Sequence, residues 1–246
     1  MALVQTFEKQ GNFLFKYRGQ FPLILLLLSV PFIFVTDYES ITINNEWLYI
    51  ISSISLSIFG FAIRFYTIGT TPKGTSGRNT KEQVADVLNS TGIYSIVRHP
   101  LYLGNYLIWL GITFYVFNLA FSLLMSLFFW IYYERIMFAE ELYLERKFGK
   151  NYLDWSNNIP AFIPKIYLYK KSIISFSIKP ILRREYSGIL GCVISFCFID
   201  IWRNYSVEEV LVTMNMIYIL TFTLIFCLIL RTLKRNTKVF NETDRS

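Results

Sequence analysis

Six long apolar runs constrain this chain more than any other feature of its sequence. "FPLILLLLSVPFIFV" (Phe21 to Val35) and "WLYIISSISLSIFGFAIRFY" (Trp47 to Tyr66) each approach the roughly 20 residues needed to cross the hydrocarbon core of a bilayer. Leu101 to Phe117 and Leu119 to Phe138 are divided only by Asn118 and its neighbours, a spacing that predicts a tight helical hairpin. Tyr186 to Trp202 and Val210 to Leu230 form a second pair. The expected fold is all-α: a polytopic integral membrane bundle of about six transmembrane helices with a central helical hairpin.

Composition agrees, since 54% of the residues are hydrophobic and only 17% charged, where soluble domains carry roughly 25% charged residues. With six spans, every one of the 24 Lys and Arg residues except Arg203 falls on one side of the membrane. The other side holds Asp37, Glu39, Glu46, Glu208 and Glu209. Cytoplasmic loops are enriched in Lys and Arg, so both termini are expected in the cytoplasm. The net charge of +7 then reads as this bias together with attraction to anionic headgroups, and not as nucleic-acid binding. The first apolar run is longer than a secretory h-region and lacks a small-residue cleavage site after it, which makes it an uncleaved anchor. Cys192, Cys197 and Cys227 all lie within the last two runs, as buried thiols rather than a disulfide framework or metal site.

Two polar blocks interrupt the runs on the basic side. One is "TIGTTPKGTSGRNTKEQVADVLNSTG", and the other is "EELYLERKFGKNYLDWSNNIPAFIPKIYLYKK", which has helical spacing to Lys147, a helix stop at Gly149, and Pro160 and Pro164 beyond it. Each adjoins one leg of the central hairpin. The chain therefore divides into two N-terminal transmembrane helices (1–70), a core of loop, hairpin and C-terminal arm (71–166), and two additional helices with a basic tail (167–246).

Between Thr91 and Asn105 the sequence reads "TGIYSIVRHPLYLGN" and carries the only histidine. Pro100 suits the first turn of a helix, where its missing N–H has no intrahelical partner. Arg98 and His99 then stand at a helix mouth whose exposed N–H groups attract anions. The plainer alternative is that Arg98 snorkels to headgroups and His99 bonds a nearby carbonyl. On the second leg, Glu134, Glu141 and Glu145 fall within a stripe of roughly 40° by the helical period. Such a stripe is usually a solvated face. Glu134 and Arg135 are less easily dismissed, because they follow an almost uninterrupted apolar and aromatic run, and ionisable groups at that depth are candidates for function. Together the legs offer a cationic mouth, carboxylates, and the aromatic faces of Tyr94, Tyr102, Tyr106, Trp130, Tyr132 and Tyr133, which suit an onium centre. A zwitterion that also carries a cationic group matches this set, and S-adenosyl-L-methionine has a carboxylate, an ammonium and a sulfonium. A pocket for it would lie at the cytoplasmic face.

"GIYSIVRHPLYLGNYLIWLG" followed by "ERIMFAEELYLERKFGKNYLDWSNNIPAFIP" resembles the isoprenylcysteine carboxyl methyltransferase family, related to membrane phospholipid N-methyltransferases, over about residues 92 to 164. Two separated motifs in the right order carry the resemblance; the His-Pro pair or the paired glutamates alone would be weak. It implies a membrane methyltransferase using S-adenosyl-L-methionine. Arg98, His99, Tyr102 and Gly104 would help form the cofactor pocket, with His99 near the cofactor's carboxylate, and Glu140 and Glu141 would bind its amino or ribose end. Arg135 would hold the acceptor's carboxylate, and Pro160 and Pro164 would fold the arm over the cofactor as a lid. An amine acceptor would arrive protonated and require a base such as Glu134 or His99. The implied acceptor is a prenylated cysteine or similar lipophilic carboxylate, with a phospholipid amine as the alternative. Sterol reductases using a nicotinamide phosphate share a similar histidine-proline hairpin, but they have more spans and an aspartate where this chain has Asn105. An inactive membrane scaffold is the third reading.

Overall fold

The computed structural model describes residues 2–42, 46–72, 74, 83–207 and 210–242, and among these the chain is helical, with one isolated bridge between Gly92 and Lys170. Residues 75–82 of the long polar connection and the acidic pair Glu208 and Glu209 lie outside the described residues. In chain order the helices are α1 (Leu3–Lys16), α2 (Phe21–Val35), the short α3 (Tyr38–Thr42), α4 (Glu46–Gly69), α5 (Pro100–Phe114), α6 (Leu119–Phe148), α7 (Lys150–Ser156), α8 (Lys179–Ser206) and α9 (Met214–Asn236).

Each of the six apolar runs forms a helix, the third ending at Phe114 and the last starting only at Met214, but they differ in reach. Helices α4, α6, α8 and α9 are long and apolar enough to cross a membrane. Helices α2 and α5 have 15 residues each, about 22 Å at 1.5 Å per residue and short of a hydrocarbon core of about 30 Å. The structure therefore supports an integral membrane protein with four full-length candidate spans and two shorter apolar helices packed among them.

The central hairpin forms where the spacing predicts it. Chain reversal uses Phe117 at a φ of 61°. Asn118 then caps α6, its side chain accepting from the Phe121 N–H at 3.0 Å while its amide donates to Thr36 at the end of α2. Helix α6 continues past its apolar run to Gly149, whose φ of 53° ends it and turns the chain into α7.

Close packing of α4 on α5 rests on small residues. A Cβ on Gly60 would lie 2.6 Å from the Gly104 carbonyl oxygen, and one on Gly104 would lie 2.5 Å from Arg64 Cγ. Ser57 donates across the same seam to the Ile108 carbonyl at 3.2 Å. Small residues let helices approach closely in lipid, where no hydrophobic effect draws them together. Ser53, Ser57 and Gly60 thus pack against a helix of the same chain. Helix α1 lies along α6, held by the Tyr132 hydroxyl on the Leu14 carbonyl at 3.0 Å and by a glycine, Gly11, set against the α6 backbone. Helix α8 packs on α2, α4, α5 and α9. These contacts leave a space at the basic end of the bundle.

Candidate active site

His99 sits immediately before α5, and Pro100 opens the helix as its sequence position requires. The imidazole is buried between two carboxylates of α6: Nε2 lies 2.8 Å from Glu141 Oε1, and Nδ1 lies 3.7 Å from Glu140 Oε2. One helical turn into α5, the Tyr102 hydroxyl donates to Glu140 Oε1 at 2.7 Å, and its ring stacks on the His99 ring at 5.8 Å. Arg98 sets its Nε 3.3 Å from Glu141 Oε1 without a hydrogen bond and donates from Nη1 to the Ser156 carbonyl at 3.2 Å. The two motifs therefore interlock, residues at the start of α5 meeting the paired glutamates of α6.

The segment around Pro160 and Pro164 fixes this arrangement from outside. Arg98 and His99 donate their N–H groups to the carbonyls of Pro160 and Ala161 at 2.9 and 3.2 Å, and the Lys165 N–H donates to the Ile96 carbonyl at 3.0 Å. The arm is thus bonded to the backbone of the His99 loop, and neither proline lines the cavity beside it.

That cavity has a volume of about 570 Å³, within the range of small-molecule sites. Its polar end is lined by Arg98, His99, Tyr102, Glu140, Tyr143 and Tyr152. Burial raises the pKa of the Tyr152 and Tyr94 phenols above their ordinary value, with Glu141 and Glu140 respectively adding to the effect. Both remain neutral hydrogen-bonding groups near pH 7. From this end the cavity runs along α5 to Ile112, twelve residues after Pro100 and hence about 18 Å deeper. Its inner walls are Leu23 and Leu26 of α2, Ile108 and Trp109 of α5, and Gly191 and Cys192 of α8.

At the waist stands a polar chain that joins four helices. Arg64 Nε and Nη2 donate to the two oxygens of Glu185, each at 2.8 Å, and Nη1 donates to Asn105 Oδ1 and, at 3.4 Å, to the Leu101 carbonyl. Asn105 passes a bond on to the Tyr133 hydroxyl at 3.3 Å.

Measured against the sequence reading, Arg98, His99, Tyr102 and Glu140 line the cavity together, and Glu141 braces His99 and Arg98 from behind. Gly104 turns its bare Cα toward Gly60 and Arg64 of α4, so the close approach it permits is between helices. Glu134 and Arg135 stand apart from the cavity, paired with each other at 3.3 Å, the Arg135 guanidinium lying 3.5 Å above the Phe7 ring of α1. Of the aromatic residues, Tyr94, Tyr102 and Tyr133 line the cavity, whereas Tyr106, Trp130 and Tyr132 do not. The sequence reading missed Arg64, Arg184 and Glu185. Arg64 was visible as a lone cation at the end of an apolar run, the kind of residue that membrane burial marks out; Glu185 carried no such signal.

Residues 48–151 match the phospholipid methyltransferase family. The chain is 34% identical over 87 residues to a protein-S-isoprenylcysteine O-methyltransferase of Schizosaccharomyces pombe, covering 35% of this chain and 37% of that one. It is 27% identical over 158 residues to a protein-S-isoprenylcysteine O-methyltransferase of Dictyostelium discoideum, covering 63% and 65%. A nickel-cobalt-cadmium resistance protein of Alcaligenes xylosoxydans xylosoxydans is 30% identical over 95 residues, covering 39% and 42%. Each match spans less than two thirds of the relative's own length. No solved structure gives a significant match. The matches support a relationship to the isoprenylcysteine carboxyl methyltransferase family; the family match runs from α4 to the start of α7, and α8 and α9 lie beyond it.

Proposed function

We propose that this chain, a relative of the isoprenylcysteine carboxyl methyltransferases, is an integral membrane methyltransferase that transfers the methyl group of S-adenosyl-L-methionine to a lipophilic acceptor. The single observation behind this reading is one cavity with two characters, polar around His99 and Glu140 and apolar between α2, α5 and α8. The donor set at the polar end fits the cofactor. Arg98, with a buried Nε that has no hydrogen-bond partner, suits a carboxylate; Glu140 suits an ammonium or ribose hydroxyls; and the faces of Tyr94, Tyr102 and Tyr133 suit a sulfonium. Bound there, S-adenosyl-L-methionine supplies an electrophilic methyl group.

The protein's own part is placement. His99, clamped by Glu140 and Glu141, fixes the rim of the pocket, and the buried walls exclude water from the acceptor. Carboxyl O-methylation of an isoprenylcysteine-like acid is the proposed reaction, because an ionised carboxylate needs no general base. The orienting cation falls to Arg18 and Arg184, which line the cavity. A phospholipid amine is the second reading, favoured by the Glu140 carboxylate in the same walls. By the distribution of Lys and Arg, the polar mouth and both termini face the cytoplasm.

Calorimetric titration of the detergent-purified protein with S-adenosylhomocysteine, with a nicotinamide phosphate as control ligand, tests the cofactor assignment. Binding that is lost in Glu140→Gln and His99→Ala supports it, and absence of binding to folded protein refutes it. Transfer of a labelled methyl group to lipid extracts then separates the acceptors, since a methyl ester is released by alkali and an N-methyl group is not.

A further inference from the structure

Between α7 and α8 the chain carries an anomaly of exposure. Ile163, Ile166, Tyr167 and Ile173 are 79%, 76%, 81% and 86% exposed, the four highest values among the large apolar side chains described. They exceed even the outward residues of the long apolar helices, and apart from one 3-10 turn they lie outside helical structure. An exposed apolar patch of this kind marks a surface that is covered in use.

The charge of the same segment says what covers it. Lys165, Lys170, Lys171 and Lys179 alternate with the apolar residues and are exposed, and no Asp or Glu occurs between Asp154 and Glu185. Its height is fixed as well. Lys170 is tied to the Gly92 N–H at 2.9 Å and to Ser95 Oγ at 2.8 Å, Ser172 donates to the Thr70 carbonyl at 3.2 Å, and the Ser177 N–H donates to the Gly69 carbonyl at 3.0 Å. Gly69 is the last residue of α4, one of the long apolar helices. The segment is therefore pinned level with the end of that helix, where hydrocarbon gives way to headgroups.

We propose that residues 163–178 form an interfacial arm, with the Ile and Tyr side chains seated at the acyl boundary and the flanking lysines on the headgroups of anionic lipids. Apolar insertion and attraction to a negative leaflet are the two contributions by which surface-lying segments hold to membranes. The inference does not depend on the methyltransferase reading.

Nitroxide labels on Tyr167→Cys and Ile173→Cys, in the full chain with its three native cysteines replaced by alanine, test the proposal in nanodiscs of phosphatidylcholine with and without phosphatidylglycerol. Asn151→Cys on the exposed face of α7 is the reference. The expected result is a several-fold higher ratio of oxygen to nickel-chelate collisions at positions 167 and 173 than at 151. Phosphatidylglycerol should raise it further, and replacing the four lysines by glutamine should abolish that rise. Nickel accessibility equal to that at position 151 would place the arm in water and overturn the proposal. Protection from both quenchers would mean that protein covers the arm and would also overturn it, and indifference to phosphatidylglycerol would overturn the anionic-lipid assignment.

Discussion

Glu185 holds Arg64 through both carboxylate oxygens, each 2.8 Å from a guanidinium nitrogen, and so fastens α8 to the wall of the cavity. Arg64 in turn bonds Asn105, and Asn105 bonds Tyr133, so one polar chain runs from α8 through α4 and α5 to α6. The Glu185 side chain is only 5% exposed. A helix outside the family match therefore completes the site, and it does so with a charge whose partner lies inside the matched residues.

Removing one member of that pair should be far worse than removing both. Glu185→Ala leaves an uncompensated guanidinium in a buried site, a change that costs about 3–5 kcal/mol, whereas replacing both partners by apolar residues of similar volume is often neutral. The double variant Arg64→Met, Glu185→Met should recover most of the thermal unfolding midpoint lost in Glu185→Ala. Equal midpoints for the single and double variants would show that the pair is not coupled.

A Cβ on Gly60 would meet two backbone atoms of α5, the Gly104 carbonyl oxygen and the Ile108 nitrogen, besides the Ile108 side chain, so α4 and α5 cannot accommodate a larger residue there without separating. Gly60→Val should cost about 1–3 kcal/mol by overpacking, and its branched side chain should push the Gly104 carbonyl, 2.6 Å from the Cβ position, away from α4. Because Gly104 lies two residues after Tyr102 on α5 and five after His99, S-adenosylhomocysteine affinity should fall together with the unfolding midpoint. An exposed control on α9, Ile229→Val, should change neither.

Much of this arrangement was legible in the sequence, and what was not has a physical reason. Length and apolarity located the six apolar helices but not α1, which is amphipathic and gains its place only by packing on α6, and Pro100, Asn118 and Gly149 marked the ends of the hairpin legs, since each acts within a few residues of itself. Arg98, His99 and Glu140 were found because their spacing formed two recognisable motifs. Glu185 was not, because its partner lies 121 residues away and its role exists only once α8 packs on α4. Arg135 shows the converse: its place in a motif suggested a role in the pocket, while the turn of α6 directs it to Phe7.

Arg135 supplies a direct test of that last point. With its guanidinium 3.5 Å above Phe7 and outside the cavity, Arg135→Ala should loosen α1, losing about 0.5–1 kcal/mol of cation–π contact. S-adenosylhomocysteine affinity and the KM for acceptor should stay near wild type. A large rise in KM with no loss of stability would return Arg135 to the acceptor site.

The middle of α1 should respond to pH. Glu8 accepts from Arg146 of α6 at 2.8 Å, and this hydrogen bond holds the Glu8 carboxyl below its ordinary value. A depressed carboxylate pKa stabilises the folded form at pH above the ordinary glutamate range, and the stabilisation disappears as pH falls through the lowered value. Arg146 is well exposed, so the effect should be small and weakened by salt. Spin-label distances between α1 and α7 should broaden only in acid for the native chain, and at every pH for Glu8→Gln.

The apolar end of the cavity should determine which acceptors fit. Gly191 lines that end, and no atom lies within 4 Å of a Cβ built on it, so a side chain there starts into open space. Gly191→Phe should therefore fold normally and fill space that an acceptor chain would occupy. Displacing about 50 Å² of apolar surface costs roughly 1.3 kcal/mol, close to tenfold in affinity. The expected result is a KM about tenfold higher for long-chain acceptors, little change for short ones, and unchanged S-adenosylhomocysteine binding at the distant polar end. If chain length made no difference in the variant, the acceptor would have to bind elsewhere, and α8 would serve only to hold Arg64 in place.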